Sequence, residues 1–312
     1  MSLTILQSGM LSTIQDGGRQ GYRNRGINPC GAMDQFASRF ANILVSNQEG
    51  EAVLEMHFPA PKIRFEKTAL VSLTGADFSP MTDAVPIEMF TPTVIDSGRI
   101  LGFPERRHGA RCYLAVQGGF ELKPWLGSLS THLIAGAGGF HGRALRKGDT
   151  LRLNTTVPMI RSGPSQRAAR ALYAKTCTRD FVRVVKGPEW DWMTADSQER
   201  LSSAQFAITS ASNRTGYQMH GPALAKQTPQ EMFSSGVAFG TVQLLPDGQL
   251  IILMADHPVT GGYPRIANVI SADLPFLAQQ NAPQSIKFEE VELEDAERAC
   301  LRMEEEIAQL AS

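Results

Sequence analysis

The chain has 312 residues, of which 42% are hydrophobic and 20% are charged, so it is long enough to bury a sizeable core and to form two lobes. Lysine and arginine total 30 against 31 aspartate and glutamate residues, and this near-neutral balance excludes a general attraction to nucleic acid or to an anionic membrane. The chain start lacks the pattern of a secretory signal, and no apolar run approaches the roughly 20 residues of a membrane span, so we expect a cytoplasmic protein.

A repeated polar motif first appears in Gly18 to Gly26 (GRQGYRNRG) and recurs with identical spacing in Asn213 to Gly221 (NRTGYQMHG). Both copies read R-x-G-Y-x-x-x-G. The guanidinium offers five donors beside a glycine and a phenol, a combination that suits the binding of a carboxylate or phosphate. The alternative is a tight turn whose arginine binds backbone carbonyls while the tyrosine packs inside the protein. The candidate binding residues are Arg19, Tyr22, Arg214 and Tyr217.

Short apolar runs between Gly, Pro, Asp and Asn clusters predict β-strands. A helix is predicted from Asp34, because DQFASRFANILV places four apolar residues on one face behind an acidic N-cap. Together these patterns predict a mainly β, barrel-like architecture with a few helices. The predicted strands are Ile63 to Phe65, Ala69 to Leu73, Cys112 to Val116, Phe181 to Val185 and Gln249 to Met254.

A glycine-rich stretch covers Gly127 to Thr131 (GSLST) and Gly136 to Arg143 (GAGGFHGR). Its hydroxyls, backbone amides and cations could hold an anion, and its candidate residues are Ser128, Thr131 and Arg143. It lacks the acidic residue of a dinucleotide fingerprint, and the chain contains no P-loop pattern. The alternative is a glycine-rich surface loop without a ligand.

The polar, basic segment Arg161 to Lys175 separates two strand-rich regions. We therefore predict an N-terminal lobe over residues 1–165, a C-terminal lobe over residues 175–290 and an acidic C-terminal helix over residues 291–312. The apolar residues of that helix follow a heptad-like spacing, which either caps the protein's own core or forms the seam of a homodimer. They are Leu293, Ala296, Cys300, Met303, Ile307 and Leu310.

Met254 to Pro264 (MADHPVTGGYP) follows the most apolar predicted strand and gathers the candidate residues Asp256, Thr260 and Tyr263. We favour Asp256 over His257, because adjacent strand residues point to opposite faces and rarely form a dyad. The six histidines have no metal-ligand spacing and the four cysteines form no CxxC pair, so the sequence predicts neither a metal site nor a disulfide framework.

Ordered blocks of the sequence are similar to those of one known family. They include TIQDGGRQGYRNRGINPCGAMD, GARCYLAVQGGF, GSLSTH, GGFHGRALRKGD, SSGVAFGTVQLLPDG and LMADHPVTGGYPRIANVISADL. From about Leu3 to Phe288, the chain resembles the biotin-dependent carboxyltransferase, or urea-amidolyase-related, family, in the type of the 5-oxoprolinase C subunit (allophanate hydrolase subunit 2-like). It departs from the family at Gly17, where QDLGR is usual, at Cys30, where serine is usual, and at residues 257–259, where HPV replaces RQT.

The resemblance implies two related cyclophilin-like β-barrel lobes, with strands that can be exchanged between them. It also implies two partners, the homologous barrel-type B subunit and the A subunit of the 5-oxoprolinase complex. The complex would use ATP, and the sequence leaves open which of its subunits binds the nucleotide. Biotin would be carried by a partner, since the chain lacks an MKM attachment tripeptide.

The resemblance further implies a component of an ATP-dependent 5-oxoprolinase that hydrolyses 5-oxoproline to glutamate. One alternative is a carboxyltransferase component that acts on urea or a related amide with a biotinylated partner. Another is a non-catalytic regulator that antagonises a kinase inhibitor. For the hydrolase, Asp16, Asp34 and Asp256 are the carboxylate candidates, Arg19, Arg143 and Arg214 the anion-binding candidates, and Ser128, Thr131, Gln243 and Tyr263 the ligand-orienting candidates.

Overall fold

The computed structural model describes residues 1–154 and 166–311, and the mainly β fold predicted from the sequence is confirmed there. The chain divides into two compact units. The first comprises Met1–Gln20, Cys30–Lys175 and the chain end from Ile307, and the second comprises Gly21–Pro29 and Thr176–Glu306. The lobes predicted from the sequence had placed residues 21–29 in the N-terminal lobe (residues 1–165), whereas this short segment belongs to the second unit.

The strands of the first unit form two antiparallel sheets, one of six strands in the order β11-β1-β4-β9-β6-β7 and one of five in the order β2-β3-β10-β5-β8. The strands are β1 (Ser2–Gln7), β2 (Ser12–Gln15), β3 (Val53–His57), β4 (Lys62–Phe65), β5 (Ala69–Asp77), β6 (Met81–Thr82), β7 (Val85–Pro86), β8 (Thr93–Ile95), β9 (Ile100–Gly102), β10 (His108–Val116) and β11 (Thr150–Arg152). Both sheets contribute to one hydrophobic core, for example through Leu3 and Ile63 of the six-stranded sheet and Leu54 and Leu114 of the five-stranded one.

Helix α1 (Gln35–Leu44) packs on β5 of the five-stranded sheet. The hydroxyls of Ser72 and Thr74 on β5 donate to carbonyl oxygens of this helix at 2.5 and 2.7 Å. The predicted start of the helix is confirmed, because the side chain of Asp34 accepts a hydrogen bond from the backbone N–H of Ala37 at 2.8 Å. The sheet is therefore buried on both faces, one apolar and one partly polar.

Helix α2 (Gln166–Cys177) occupies most of the segment that the sequence predicted to be a polar boundary. It is helical rather than extended because Ala169 and Tyr173, four residues apart, bury one face of the helix. Residues 161–165 of the predicted boundary lie outside the described residues. The division between the two units falls at the end of this helix, between Lys175 and Thr176.

The second unit contains a closed seven-stranded barrel in the order β12-β19-β16-β17-β14-β13-β20, and β15 and β18 form a separate two-stranded ribbon. Along its strands, buried residues alternate with more exposed ones, as in β12 and β20. The strands are β12 (Phe181–Lys186), β13 (Phe206–Ile208), β14 (Gly216–His220), β15 (Ser235–Gly236), β16 (Thr241–Leu244), β17 (Leu250–Leu253), β18 (Thr260–Gly261), β19 (Arg265–Val269) and β20 (Ser285–Glu290). The remaining α-helices are α3 (Ala195–Ser203), α4 (Leu274–Ala278) and α5 (Leu293–Ala311).

Helix α5 carries the apolar stripe that the sequence indicated. Ile307 is fully buried, whereas Leu293 and Leu301 are exposed. The homodimer seam stays a prediction. Within residues 1–154 and 166–311, no helix combines the length and the apolar character that crossing a membrane requires.

The two copies of the repeated motif adopt different local structures. The first copy is a loop with a 3-10 turn at Arg23–Arg25, whereas the glycine and tyrosine of the second copy begin strand β14. Gly21 and Gly26 have left-handed φ angles of 86° and 75°, and this backbone has no counterpart in an extended strand. The equal spacing of the motif therefore does not mark structurally equivalent positions.

Candidate functional site

The carboxylate of Asp16, just after β2, accepts four hydrogen bonds within the first unit. The hydroxyls of Ser128 and Ser130 donate at 2.7 and 2.6 Å, and the backbone N–H groups of Leu129 and Gly18 donate at 2.5 and 2.8 Å. A carboxylate that accepts several bonds holds together the segments that supply the donors. Two predicted site residues, Asp16 and Ser128, are thus brought together as partners of each other.

The guanidinium of Arg19 lies next to this cluster and is 1% exposed. It donates to the carbonyl oxygen of Ser130, and its central carbon lies 4.7 Å from the ring centroid of Trp125, in cation–π contact. The hydrogen bond to Ser130 agrees with the alternative interpretation of the repeated motif, in which the arginine binds a backbone carbonyl.

The glycine-rich stretch uses its predicted donors internally. Besides the serine hydroxyls on Asp16, the hydroxyl of Thr131 donates to the carbonyl oxygen of Ile14 at 3.0 Å. The two terminal nitrogens of Arg143 donate to the two carboxylate oxygens of Asp149 at 2.7 and 2.9 Å, and these bonds hold the pKa of Asp149 below its ordinary value. Ser128, Thr131 and Arg143 therefore use these donors within the protein, and their role in anion binding stays a prediction.

Asp34 belongs to a buried polar network of the first unit. Its carboxylate caps α1 and accepts a hydrogen bond from the hydroxyl of Tyr173 at 2.7 Å. Its backbone N–H donates at 2.8 Å to the hydroxyl of Tyr113, which in turn donates to Glu55 at 2.9 Å. Burial, together with the nearby carboxylates of Glu55 and Asp34, raises the pKa of Tyr113 well above its ordinary value. The predicted carboxylate thus lies at the start of a helix, with its charge solvated by protein donors.

In the second unit, Arg214 and Asp256 form a buried ion pair. Nε and one terminal nitrogen of the guanidinium donate to the two carboxylate oxygens at 2.9 and 2.8 Å, and the side chains are only 4% and 7% exposed. The backbone N–H of Asp256 also donates to the carbonyl oxygen of Arg214 at 2.8 Å. Two residues that the sequence assigned to separate roles are therefore bound to each other in a bidentate pair.

The other candidates of the second unit lie around the barrel strands. The hydroxyl of Tyr217 donates to the carbonyl oxygen of Gln280 at 3.1 Å, and the side-chain amide of Gln243 donates to the carbonyl oxygen of Tyr263 at 3.1 Å. Thr260 lies exposed on β18, and the Tyr263 side chain is 43% exposed. The structure thus brings Gln243 and Tyr263 of this group into direct contact.

His257, the neighbour of Asp256, is 2% exposed. Its Nδ1 lies 2.6 Å from the carbonyl oxygen of Pro258. Burial holds the pKa of His257 below its ordinary value, the bond to Pro258 opposes this shift, and the cation of Arg23 adds to it. The imidazole is therefore neutral at pH 7, and a carbonyl partner at Nδ1 requires the proton to be on that nitrogen.

The segment at residues 21–29 is bound to the loop that contains His257. The side-chain amide nitrogen of Asn28 lies 3.0 Å from the carbonyl oxygens of both Asp256 and His257, and the guanidinium of Arg23 donates to the carbonyl oxygen of Val237. Tyr22 is half-buried and precedes the 3-10 turn. Sequence reasoning overlooked Arg23, although it stands beside the tyrosine of the repeated motif, and it set His257 aside in favour of Asp256.

Comparisons with known proteins identify what this chain is similar to. The family model described as carboxyltransferase domain, subdomain A and B, matches residues 25–290. The chain is 37% identical to the 5-oxoprolinase C subunit of Escherichia coli, over 99% of this chain and 97% of the relative, and 39% identical to the protein of that name from Haemophilus influenzae, over 98% and 96%. It matches the crystal structure of the K. lactis urea amidolyase with a TM-score of 0.89 and 24% identity, over 99% of this chain and 20% of that one, a likeness that concerns the fold alone.

Proposed function

We propose that this chain, a member of the carboxyltransferase-domain family, is one subunit of a 5-oxoprolinase complex. The complex would use ATP to hydrolyse 5-oxoproline to glutamate. The observation that carries the proposal is the similarity, over nearly the full length of both chains, to two proteins named as the C subunit of 5-oxoprolinase. That name implies partner subunits, which we take to be the barrel-type B subunit and the A subunit. A cytoplasmic location stays a prediction.

Within this complex, we assign the binding of ATP to a partner. The glycine-rich stretch is one predicted anion site of this chain, and donors of Ser128, Ser130 and Arg143 are used on Asp16 and Asp149. A phosphate there would have to displace carboxylates that are already well bonded. The contribution of this chain would then be to bind the small organic substrate rather than the nucleotide.

The decisive experiment combines the chain with its partner subunits and measures the ATP-dependent loss of 5-oxoproline. We expect turnover only when all subunits and ATP are present. Full activity of the partners without this chain would contradict the proposal. The Asp256→Asn and Arg19→Ala variants, checked for native folding by circular dichroism, then test whether these two residues contribute to turnover.

A carboxyltransferase function is the second candidate, and the match to a carboxyltransferase-domain model favours it. It requires a biotinylated partner protein. It also predicts that the activity on a urea-like amide is abolished by avidin, which binds biotin. The hydrolase function predicts activity that is insensitive to avidin. A regulator without a catalytic role would instead bind a partner without making turnover of either substrate possible.

A further inference from the structure

The loop at residues 256–258 and the segment at residues 21–29 bring an imidazole and a guanidinium close together within the second unit. Asn28 anchors the segment through the carbonyl oxygens of Asp256 and His257. The guanidinium of Arg23 binds the carbonyl oxygen of Val237, and the backbone N–H of Val237 donates at 3.2 Å to the carbonyl oxygen of Val259, two residues beyond His257. In keeping with this position, the positive charge of Arg23 lowers the pKa of His257. The two side chains come from stretches of sequence more than two hundred residues apart, so their proximity is a property of the fold.

The imidazole of His257 presents a hydrogen-bond acceptor that the described residues leave unused. Because Nδ1 binds the carbonyl oxygen of Pro258 at 2.6 Å, it carries the ring proton, and Nε2 of the neutral ring keeps its lone pair. Within residues 1–154 and 166–311, no hydrogen-bond donor is bonded to Nε2. His257 as a whole is 2% exposed, but Nε2 is not one of the fully enclosed, unpaired polar atoms of the described residues, so this acceptor reaches the surface.

Arg23 has hydrogen-bond donors that the described residues leave unused. One terminal nitrogen of its guanidinium binds the carbonyl oxygen of Val237, and in the part of the chain that the structure describes no carboxylate pairs with it. The nearby carboxylate of Asp256 is not available, because both of its oxygens are bound to Arg214. Of the charges that act on His257, that of Arg23 lowers its pKa and that of Asp256, which is paired with Arg214, raises it.

We propose that Arg23 and His257 together recognise a ligand in which a carboxylate lies beside an amide N–H. The guanidinium of Arg23 would bind the carboxylate, and Nε2 of His257 would accept the hydrogen bond of the N–H group. 5-Oxoproline carries both groups on adjacent atoms of its ring, whereas urea has no carboxylate. This inference rests on the proposed function, and it favours 5-oxoproline over a urea-like amide as the substrate.

The test measures binding by isothermal titration calorimetry to the full chain in complex with its partner subunits. The probes are 5-oxoproline, 2-pyrrolidinone, which lacks the carboxylate, and N-methyl-5-oxoproline, which lacks the N–H. The variants are Arg23→Gln, Arg23→Lys, His257→Phe and His257→Gln, and the matched control is Arg25→Gln, an exposed arginine on the same turn. Thermal melts monitor folding, and His257→Gln keeps the test valid if His257→Phe fails to fold.

We expect Arg23→Gln to weaken the binding of 5-oxoproline by about tenfold or more, as for the loss of a charged hydrogen bond, and to leave 2-pyrrolidinone unaffected. Arg23→Lys should retain part of the affinity. His257→Phe should abolish the preference for 5-oxoproline over its N-methyl derivative, and His257→Gln, whose amide oxygen is an acceptor, should retain some of that preference.

The outcomes separate this inference from the proposed function. The inference is wrong if wild-type complex does not bind 5-oxoproline, or if the Arg23 and His257 variants bind all three probes as Arg25→Gln does. If binding follows the expected pattern but the complex does not hydrolyse 5-oxoproline in the presence of ATP, only the proposed function is wrong.

Discussion

At the scale of single residues, the ion pair of Arg214 and Asp256 makes the strongest prediction about stability. Removal of one partner leaves an uncompensated charge at a site where the side chains are less than a tenth exposed. We expect Asp256→Asn to lower the free energy of unfolding by about 3 kcal/mol or more, measured by urea denaturation at pH 7. The double variant Arg214→Met with Asp256→Leu should lose less than either single variant, because it leaves no buried charge.

A matched control for this pair is the exposed i,i+4 pair of Asp196 and Arg200 on α3, whose side chains are 67% and 50% exposed. Asp196→Asn should change the free energy of unfolding by less than about 0.5 kcal/mol. Equal effects of Asp196→Asn and Asp256→Asn would contradict the assignment of Asp256 to a buried, structurally required pair.

The pair of Arg143 and Asp149 makes a prediction about pH. Hydrogen bonds from Arg143 hold the pKa of Asp149 below its ordinary value, so the carboxylate stabilises the folded state fully above its unfolded pKa of about 3.9 and less as the pH falls through the lower folded value. The difference in free energy of unfolding between wild type and Asp149→Asn should therefore be largest near neutral pH and shrink toward about pH 2. In an Arg143→Gln background this pH dependence should largely disappear, and its persistence there would assign the effect to another group.

At the scale of structural elements, the glycine-rich loop depends on close approach to the segment that carries Ser130. A Cβ atom on Gly138 would overlap the carbonyl oxygen of Ser130 and lie 3.0 Å from a terminal nitrogen of Arg19, whereas a Cβ on Gly136 would meet nothing within 4 Å. Both glycines have left-handed backbones, with φ of 67° and 62°. An alanine at position 136 therefore introduces backbone strain alone, whereas an alanine at position 138 adds steric overlap to the same strain.

We expect Gly136→Ala to cost about 1 kcal/mol, the strain of an alanine in the left-handed region. Gly138→Ala should cost about 3 kcal/mol or more, because the added methyl group also pushes against a backbone carbonyl. Thermal unfolding monitored by circular dichroism compares the two variants. Similar melting temperatures would mean that the loop moves away from Ser130 at little cost, and the packing argument would be wrong.

At the scale of the whole molecule, the features predicted from sequence are the local ones. The strands that contain Ala69 to Leu73 and Cys112 to Val116 and the helix capped by Asp34 follow from residue patterns a few positions long, and the structure confirms them. The partners within the candidate site are distant in sequence: Asp16 binds Ser128 and Ser130, and Arg214 binds Asp256. A single sequence holds no signal for such long-range contacts. Sequence reasoning therefore selected these residues as candidates but could not predict which of them bind each other.

The last prediction concerns the short segment at residues 21–29. It belongs to the second unit, although the residues on either side of it in sequence belong to the first. Asn28 donates to the carbonyl oxygens of Asp256 and His257 in that unit, and Asn42 makes equivalent bonds within the first unit, to the carbonyl oxygens of Glu49 and Glu51 at 3.3 and 2.7 Å. The two asparagines use the same chemistry in different units, so each serves as the control for the other.

We expect Asn28→Ala to speed amide hydrogen exchange about fivefold to tenfold in β17 and in residues 21–29, and to change β10 much less, because about 1 kcal/mol of stabilisation is lost from the second unit alone. Asn42→Ala should show the reverse pattern. Hydrogen exchange followed by mass spectrometry resolves these segments in the intact chain. If Asn28→Ala speeds exchange equally in both units, then the segment at residues 21–29 stabilises the whole chain rather than the barrel to which it is bound.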